Sequence, residues 1–203
     1  MAKEEIEVEI KVPLEGDFRE RLLAGAVLVR RVELRDVYFD DASFSLTLAD
    51  KWLRERNGKF ELKQPPEGGS RIGETAVQRY VEVSCDGEIL SALGLLEGDD
   101  MAEVLRRAGI KPFAVIKSVR QKFKRKKFAI DIDETEFGYS LAEVELMAKD
   151  EQGVEEAQKE IMAFFAECGI GDVKRQLGKV AVYLRENSPE HFKKLVMRGV
   201  ISV

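Results

Sequence analysis

Residues 6–12, IEVEIKV, alternate without a break between apolar and charged side chains. Read as a strand, they place Ile6, Val8, Ile10 and Val12 on one face and Glu7, Glu9 and Lys11 on the other. Carboxylates on adjacent same-face positions repel each other, so a plain solvent face uses them poorly. Beside a lysine they suit a site that holds a divalent cation and an anion together. The heptapeptide alone also allows a solvated edge strand, so the decision rests on whether later strands repeat the split.

They repeat it. Residues 49–63 contain Asn57-Gly58, the preferred dipeptide of a two-residue type I′ hairpin, which sets Arg56 opposite Lys59, Arg54 opposite Glu61 and Trp52 opposite Lys63. These six share one face; Leu53, Phe60 and Leu62 share the other with Glu55. Val77 to Ser84 alternates again and groups Glu82 with Gln78 and Tyr80. Residues 114–133 predict two long strands, with Arg120, Lys122 and Lys124 on one parity of the first. In the second, Asp131 and Asp133 oppose Phe128, Ile130 and Ile132. Tyr139 to Met147 sets Glu143 and Glu145 against Ala142, Val144 and Leu146, a second Glu-x-Glu pair. Residues 33–39 give a further strand, turned by Asp40, Asp41 and Ser43, in which Tyr38 shares a face with Asp36 and Asp40.

Helices are predicted over Asp17 to Ala26, Glu88 to Leu95 and Asp99 to Ala108, the last ended by Gly109 and Pro112. Val154, Ala157, Ile161, Phe164, Phe165 and Cys168 recur at helical spacing before Gly169. Lys179 opens an apparent helix after Gly178, and Ser188-Pro189 caps a last one ending near Arg198, on which His191 is expected to face solvent. The Pro- and Gly-rich loop from Gln64 to Gly73 is long enough to be mobile. Gly68, Gly73, Glu74 and Thr75 have P-loop spacing, but glutamate replaces the lysine and a strand follows where a helix is needed, so a phosphate-cradling loop is rejected.

About eight mostly antiparallel strands imply an α+β protein whose sheet closes on itself. If the charged parity faces water, this is an ordinary β-rich protein. If it lines a closed barrel, the lumen collects Glu7, Glu9, Glu82, Asp131, Asp133, Glu143 and Glu145 with Lys11, Arg54, Arg56, Lys63 and Arg120. So many enclosed charges are tolerable only when paired with each other and with a multivalent ligand. Carboxylates then suit Mg²⁺ or Mn²⁺, and arginine forks suit a polyphosphate.

The 203 residues fit one domain, 1–203, without repeats or low-complexity tracts. A net charge of −5 argues against bulk attraction to nucleic acid or an anionic membrane. The basic run Lys117 to Lys127 falls on both parities of a strand and turn, as a solvated outer face does. No apolar run reaches membrane-spanning length, and MAKEEIEV carries no signal-peptide core, so a cytoplasmic protein is expected. Cys85 and Cys168 match no metal spacing and read as ordinary thiols. A single histidine excludes HExxH zinc chemistry and most His-based general bases, leaving a hard, oxygen-bound metal as the expected cofactor.

The Glu-x-Glu-x-Lys of Glu7, Glu9 and Lys11 resembles the signature of the CYTH superfamily, the triphosphate tunnel metalloenzymes. RDVYFD at 35–40, LADKWLRER at 48–56, FELK at 60–63, DETEFGYSLAEVE at 133–145 and GKVAVYL at 178–184 are similar to the animal-type thiamine triphosphatase branch, nearly end to end. The resemblance implies an eight-stranded antiparallel closed tunnel barrel with surrounding helices and a C-terminal plug helix. It also implies Mg²⁺-dependent hydrolysis of thiamine triphosphate; a monomer is expected. By it, Lys11, Arg54, Arg56, Lys63, Arg120 and Lys179 are triphosphate ligands. Glu7, Glu9, Asp131, Glu143 and Glu145 are metal ligands, with Asp133 and Glu82 in support. Trp52 stacks on thiamine, and Tyr38 with Lys63 forms a proton-transfer pair. Lys179 reaches such a site only if its helix closes one tunnel end. A tripolyphosphatase or nucleoside triphosphatase on the same tunnel, or a non-catalytic polyphosphate-binding module, are the alternatives.

Overall fold

The computed structural model describes residues 5–66, 77–96, 100–171 and 176–202, and in it eight strands close into an antiparallel barrel. In chain order the elements are β1 (Ile6–Pro13), α1 (Phe18–Leu23), β2 (Val27–Asp40), α2 (Ser45–Leu48), β3 (Trp52–Arg56), β4 (Lys59–Gln64), β5 (Val77–Val83), α3 (Asp86–Ala92), α4 (Met101–Arg107), β6 (Lys111–Arg125), β7 (Phe128–Thr135), β8 (Ser140–Ala148), α5 (Glu151–Glu167), α6 (Lys179–Asn187) and α7 (Pro189–Met197). The strands run β1-β5-β4-β3-β2-β6-β7-β8 around the ring, and β8 pairs back to β1 from Ile6↔Ala148 to Pro13↔Leu141. Closure leaves the sheet without a terminal strand.

The apolar parity decides which side faces in. Val8, Ile10 and Val12 are fully buried, in one cluster with Val154, Ala157, Ile161, Phe164 and Phe165 of α5. On the opposite wall Val37, Phe39, Leu53, Leu62 and Val81 pack with Ile89, Leu90, Met101 and Leu105 of α3 and α4. The hydrophobic core is therefore a layer outside the barrel, between strands and helices. With about 1.5–3 kcal/mol for each large apolar side chain buried, that cladding orients every strand and leaves the charged parity inside.

The hairpin register matches its turn chemistry: Trp52 pairs with Lys63, Arg54 with Glu61 and Arg56 with Lys59. Asn57 and Gly58 both have positive φ, 49° and 83°, as a type I′ turn requires. The Asn57 side chain also accepts from Arg35 N–H at 2.8 Å and donates to Glu33 O at 2.9 Å, tying the turn to β2.

Four local expectations change. The strand expected at 33–39 is the second half of β2; its first residues pair with β6 but stay in solvent, Val27, Leu28 and Val29 all being exposed. A ribbon wet on both faces, with a register shift between Leu28 and Arg30, has no alternation to read. α1 is shorter than 17–26, and α2, a single turn, carried no periodic signal. Pro112, read as a helix stop, lies inside β6, where a second register shift between Tyr38 and Phe39 accommodates it. His191 does not face solvent: it is 2% exposed, stacks on Phe44 at 3.8 Å between centroids and bonds Thr47 Oγ1 at 2.7 Å. It is buried because α7 packs against α2. The loop expected from 64 to 73 and the rejected P-loop match fall largely outside the described residues.

Among the described residues no helix is long and apolar enough to cross a membrane. Ile10→Ala tests the inverted layering: removing this fully buried side chain should cost about 2–5 kcal/mol in urea denaturation, and an unshifted midpoint would show that the outer face of β1 is not core.

Candidate active site in the barrel lumen

The register brings the carboxylates together. β1 and β8 pair Glu9 with Glu145 and Lys11 with Glu143, while β7 and β8 pair Asp131 with Glu143. Two triads result, Glu7–Glu9–Glu145 and Asp131–Glu143–Glu145, each offering carboxylate oxygens within 4.8 Å of one another and sharing Glu145. Burial and the charges of Glu7, Glu143, Asp131 and Glu9 push the Glu145 carboxyl well above the usual carboxylate range. Glu7 is raised as well, by burial and by Glu9, against the pull of Lys63. For Glu9 and Glu143, burial acts upward, but Lys11 and Lys63, joined at Glu143 by Arg120 and Lys179, outweigh it and hold both low.

These residues fit a divalent metal. The triads present only carboxylate oxygens, the donors of Mg²⁺ and Mn²⁺ and not of a soft ion. Asp131 Oδ1 is buried with no hydrogen-bond partner among the described residues, so the acidic wall retains an unmet demand for positive charge.

The lumen's cations come from β1 (Lys11), β3 and β4 (Arg54, Arg56 and Lys63) and β6 (Arg120), and each is engaged by a carboxylate. Lys11 bonds Glu9 and donates to Gln78 Oε1 at 2.5 Å. The Lys63 ammonium pairs with Glu7 at 2.6 Å and Glu9 at 3.4 Å, 5.7 Å over the Tyr80 ring. Arg54 donates to Glu61 at 2.7 Å and lies 3.6 Å from Glu82. Arg56 forks onto Asp36 at 2.6 and 2.9 Å. Arg120 grips Asp133 at 2.6 and 2.7 Å, Asp131 at 2.6 Å and Glu143 at 2.8 Å. Burial lowers the Lys63 ammonium, but Glu9, Glu7 and Glu143 win and raise it above the ordinary lysine range, so it rests protonated.

α6 closes one end of the tunnel. A Cβ added to Gly178 would stand 3.3 Å from Lys11 Cε, so the helix begins against the lumen floor. Lys179 is thereby buried, its Nζ 2.7 Å from Asp36, 3.3 Å from Asp133 and 3.1 Å from Ser118 Oγ. Trp52 and Tyr38 also line the lumen, a cavity of about 230 Å³. Tyr38 faces in opposite Arg54, and among the described residues no hydrogen bond joins it to Lys63. Lys122 faces the lumen with Arg120, whereas Lys124 of the same parity is exposed at the strand's far end.

All fifteen expected site residues thus belong to this one lumen or, for Asp133, to its immediate wall. Asp36, Lys122, Leu177, Val200 and Ile201 were missed as site residues. Strand parity was a usable signal for Asp36 and Lys122. None existed for Val200 and Ile201, which reach the lumen only because the chain folds back after α7.

Fold and lining define a closed, charge-lined tunnel barrel. The CYTH domain matches residues 5–176, and the chain belongs to that family. It is 31% identical to thiamine-triphosphatase of Homo sapiens over 97% of this chain and 91% of that protein. The corresponding protein of Macaca fascicularis is 30% identical over the same shares. Among solved structures, the PH1819 protein of Pyrococcus horikoshii OT3 superimposes with a TM-score of 0.65 at 22% identity, covering 89% of this chain and 99% of that one.

Asp36 is the test of the internal pairing. Burial pushes its carboxyl upward, yet the Arg56 hydrogen bonds and the charges of Lys179, Arg56 and Arg54 hold it well below the usual range. A folded pKa below the unfolded one stabilises the protein above about pH 4 and loses that contribution as pH falls further. Asp36→Asn should therefore cost about 3–5 kcal/mol at pH 7 and flatten the loss of stability below pH 4. Urea denaturation at both pH values checks this; a wild-type slope in the variant would show that Asp36 carries no such linkage.

Proposed function

We propose that this chain is a monomeric, cytoplasmic hydrolase of phosphoanhydride bonds, a single domain that converts thiamine triphosphate to thiamine diphosphate and phosphate with Mg²⁺. The observation that carries the reading is the meeting, in one lumen, of two carboxylate triads and a wall of lysines and arginines. Identity of 31% over 97% of the chain to a thiamine-triphosphatase supports the choice of substrate. A cavity of this size and lining suits a small multiply charged molecule better than a nucleic acid duplex.

Glu7, Glu9, Asp131, Glu143 and Glu145 would hold Mg²⁺, with Mn²⁺ the nearest substitute. When bound, the ion supplies charge neutralisation at phosphate oxygens and activation of water. Everything else is positioning, which is most of what phosphoryl transfer asks of a protein. Arg54 and Arg56 present forked donors that match phosphate oxygens once Glu61 and Asp36 share them. Lys11, Lys63 and Lys179 add point charges from three sides of the lumen. Arg120, with so many donors already on carboxylates, grips the chain of phosphates while fixing the acidic wall. Asp133 holds Arg120 and Lys179 in place, and Glu82 faces Arg54. Lys63, kept protonated, neutralises charge on the leaving diphosphate; Tyr38, beside Arg54 and two strands from Lys63, is its expected proton-transfer partner once substrate bridges the two. Trp52 offers its indole face to the thiamine ring.

The phosphate-binding half is complete without any contact to an organic group, which favours as second reading a tripolyphosphatase or nucleoside triphosphatase in the same tunnel. A binding module without catalysis is the third, marked by tight binding and no phosphate release. A phosphate-release panel over thiamine triphosphate, tripolyphosphate and ATP with Mg²⁺ and Mn²⁺ separates all three. Glu9→Gln and Glu145→Gln should each lower kcat by about 10²-fold or more at saturating Mg²⁺; undiminished turnover in both would remove the carboxylates from the mechanism. Lys63→Ala should lower kcat more than it raises KM, and an effect confined to KM would leave Lys63 a plain ligand.

A further inference from the structure

The turn that ends α2 places an acidic residue where glycine is the usual choice. Asp50 N–H donates to Thr47 O and Lys51 N–H to Leu46 O, both at 2.9 Å, the closing pattern that drives one residue into the left-handed region. Asp50 occupies it with φ 60° and is 2% exposed. A carboxylate there is unfavourable twice, through the backbone and through desolvation, and persists only where its side chain is needed. Its Oδ1 accepts from Trp52 Nε1 at 2.9 Å and from the Tyr80 hydroxyl at 3.2 Å. Trp52 and Tyr80 both line the lumen. Tyr80, on β5, anchors the carboxylate from one side, and the carboxylate fixes the indole, on β3, from the other.

We propose that Asp50 is a positioning residue for substrate specificity, locking the indole plane of Trp52 so that the organic end of a triphosphate meets a preset aromatic face. This rests on the reading of the tunnel as a thiamine triphosphatase with Trp52 against the thiamine ring. An indole already held in place loses little freedom when substrate arrives. A carboxylate on its N–H also leaves the ring richer in electron density toward a cationic ring such as thiazolium. The phosphates, gripped by other side chains, are indifferent to it.

Trp52 is the one tryptophan of the chain, so intrinsic fluorescence reports on it alone. Asp50→Gly deletes the carboxylate with a residue that suits the left-handed turn, which keeps the fold, as far-UV circular dichroism would verify. Acrylamide quenching of Trp52 should then rise about twofold or more, and KM for thiamine triphosphate about tenfold with kcat little changed, while tripolyphosphate kinetics stay within about twofold. Asp50→Asn, which keeps an acceptor oxygen and tolerates the same backbone, should recover most of both. Wild-type quenching and wild-type KM in Asp50→Gly would overturn the proposal, as would equal loss on both substrates. Trp52→Ala separates this from the underlying reading. If that variant loses thiamine triphosphate and tripolyphosphate turnover equally, the thiamine assignment fails; if it is selective while Asp50→Gly is not, only the positioning role fails.

Discussion

Opposite charges held face to face inside a ring of strands are the constraint on which this structure depends. Arg120 is 8% exposed, and its partners Asp131 and Asp133 are more deeply buried still, at 1% each. Removing either side of such a pair strands the other in a medium that solvates it poorly, which costs more than the pair itself contributes. The lumen therefore does not hold the barrel together. The apolar layers under α5 and under α3 and α4 do that, and they free the interior to carry groups chosen for chemistry.

The pairing is not balanced. Each cation assigned to phosphate already touches a carboxylate, yet among the described residues the acidic wall keeps an oxygen of Asp131 without a hydrogen-bond partner and a Glu145 carboxyl driven upward by burial and by its neighbours. The outstanding demand is for positive charge beside Glu145. Under the proposed activity, an ion bound there would weaken the hold of Glu7 and Glu9 on Lys63 and of Glu143 on Lys11 and Arg120, freeing those cations for phosphate. The triphosphate would in turn draw the same cations away and strengthen the need for the ion. Metal and substrate are then coupled, and the coupling runs equally in both directions.

Much of this was legible in the sequence because a barrel turns parity into place. Once Asn57-Gly58 pinned one register and Glu7, Glu9, Glu143 and Glu145 shared a parity, most of the lumen lining followed, including Glu82 beside Tyr80 and Gln78. What failed to show was whatever depends on packing between distant segments. His191 lies on an amphipathic helix whose partner, α2, is too short to announce itself, so nothing local marked it as buried. Tyr38 and Lys63 each face the lumen as expected, but parity gives the side and not the neighbour. Lys63 sits with Glu7, Glu9 and Tyr80, and Tyr38 with Arg54, because the strands that carry them are offset around the ring.

The closing helix shows why a barrel alone falls short. Gly178 has φ −65°, a conformation open to any residue, so its lack of a side chain is a matter of space: Lys11 Cε is the neighbour that a Cβ would press. That close approach lets Lys179 enter far enough to share Asp36 with Arg56 and Asp133 with Arg120. The helix thus joins β2, β6 and β7 through one ammonium group and sets a fixed positive charge at that end. The CYTH match stops at residue 176, two residues before this contact begins. A tunnel open at both ends would hydrate its charges and weaken every attraction among them. Closing one end keeps the lumen's interior poorly hydrated there, and so keeps the interactions with a bound anion strong.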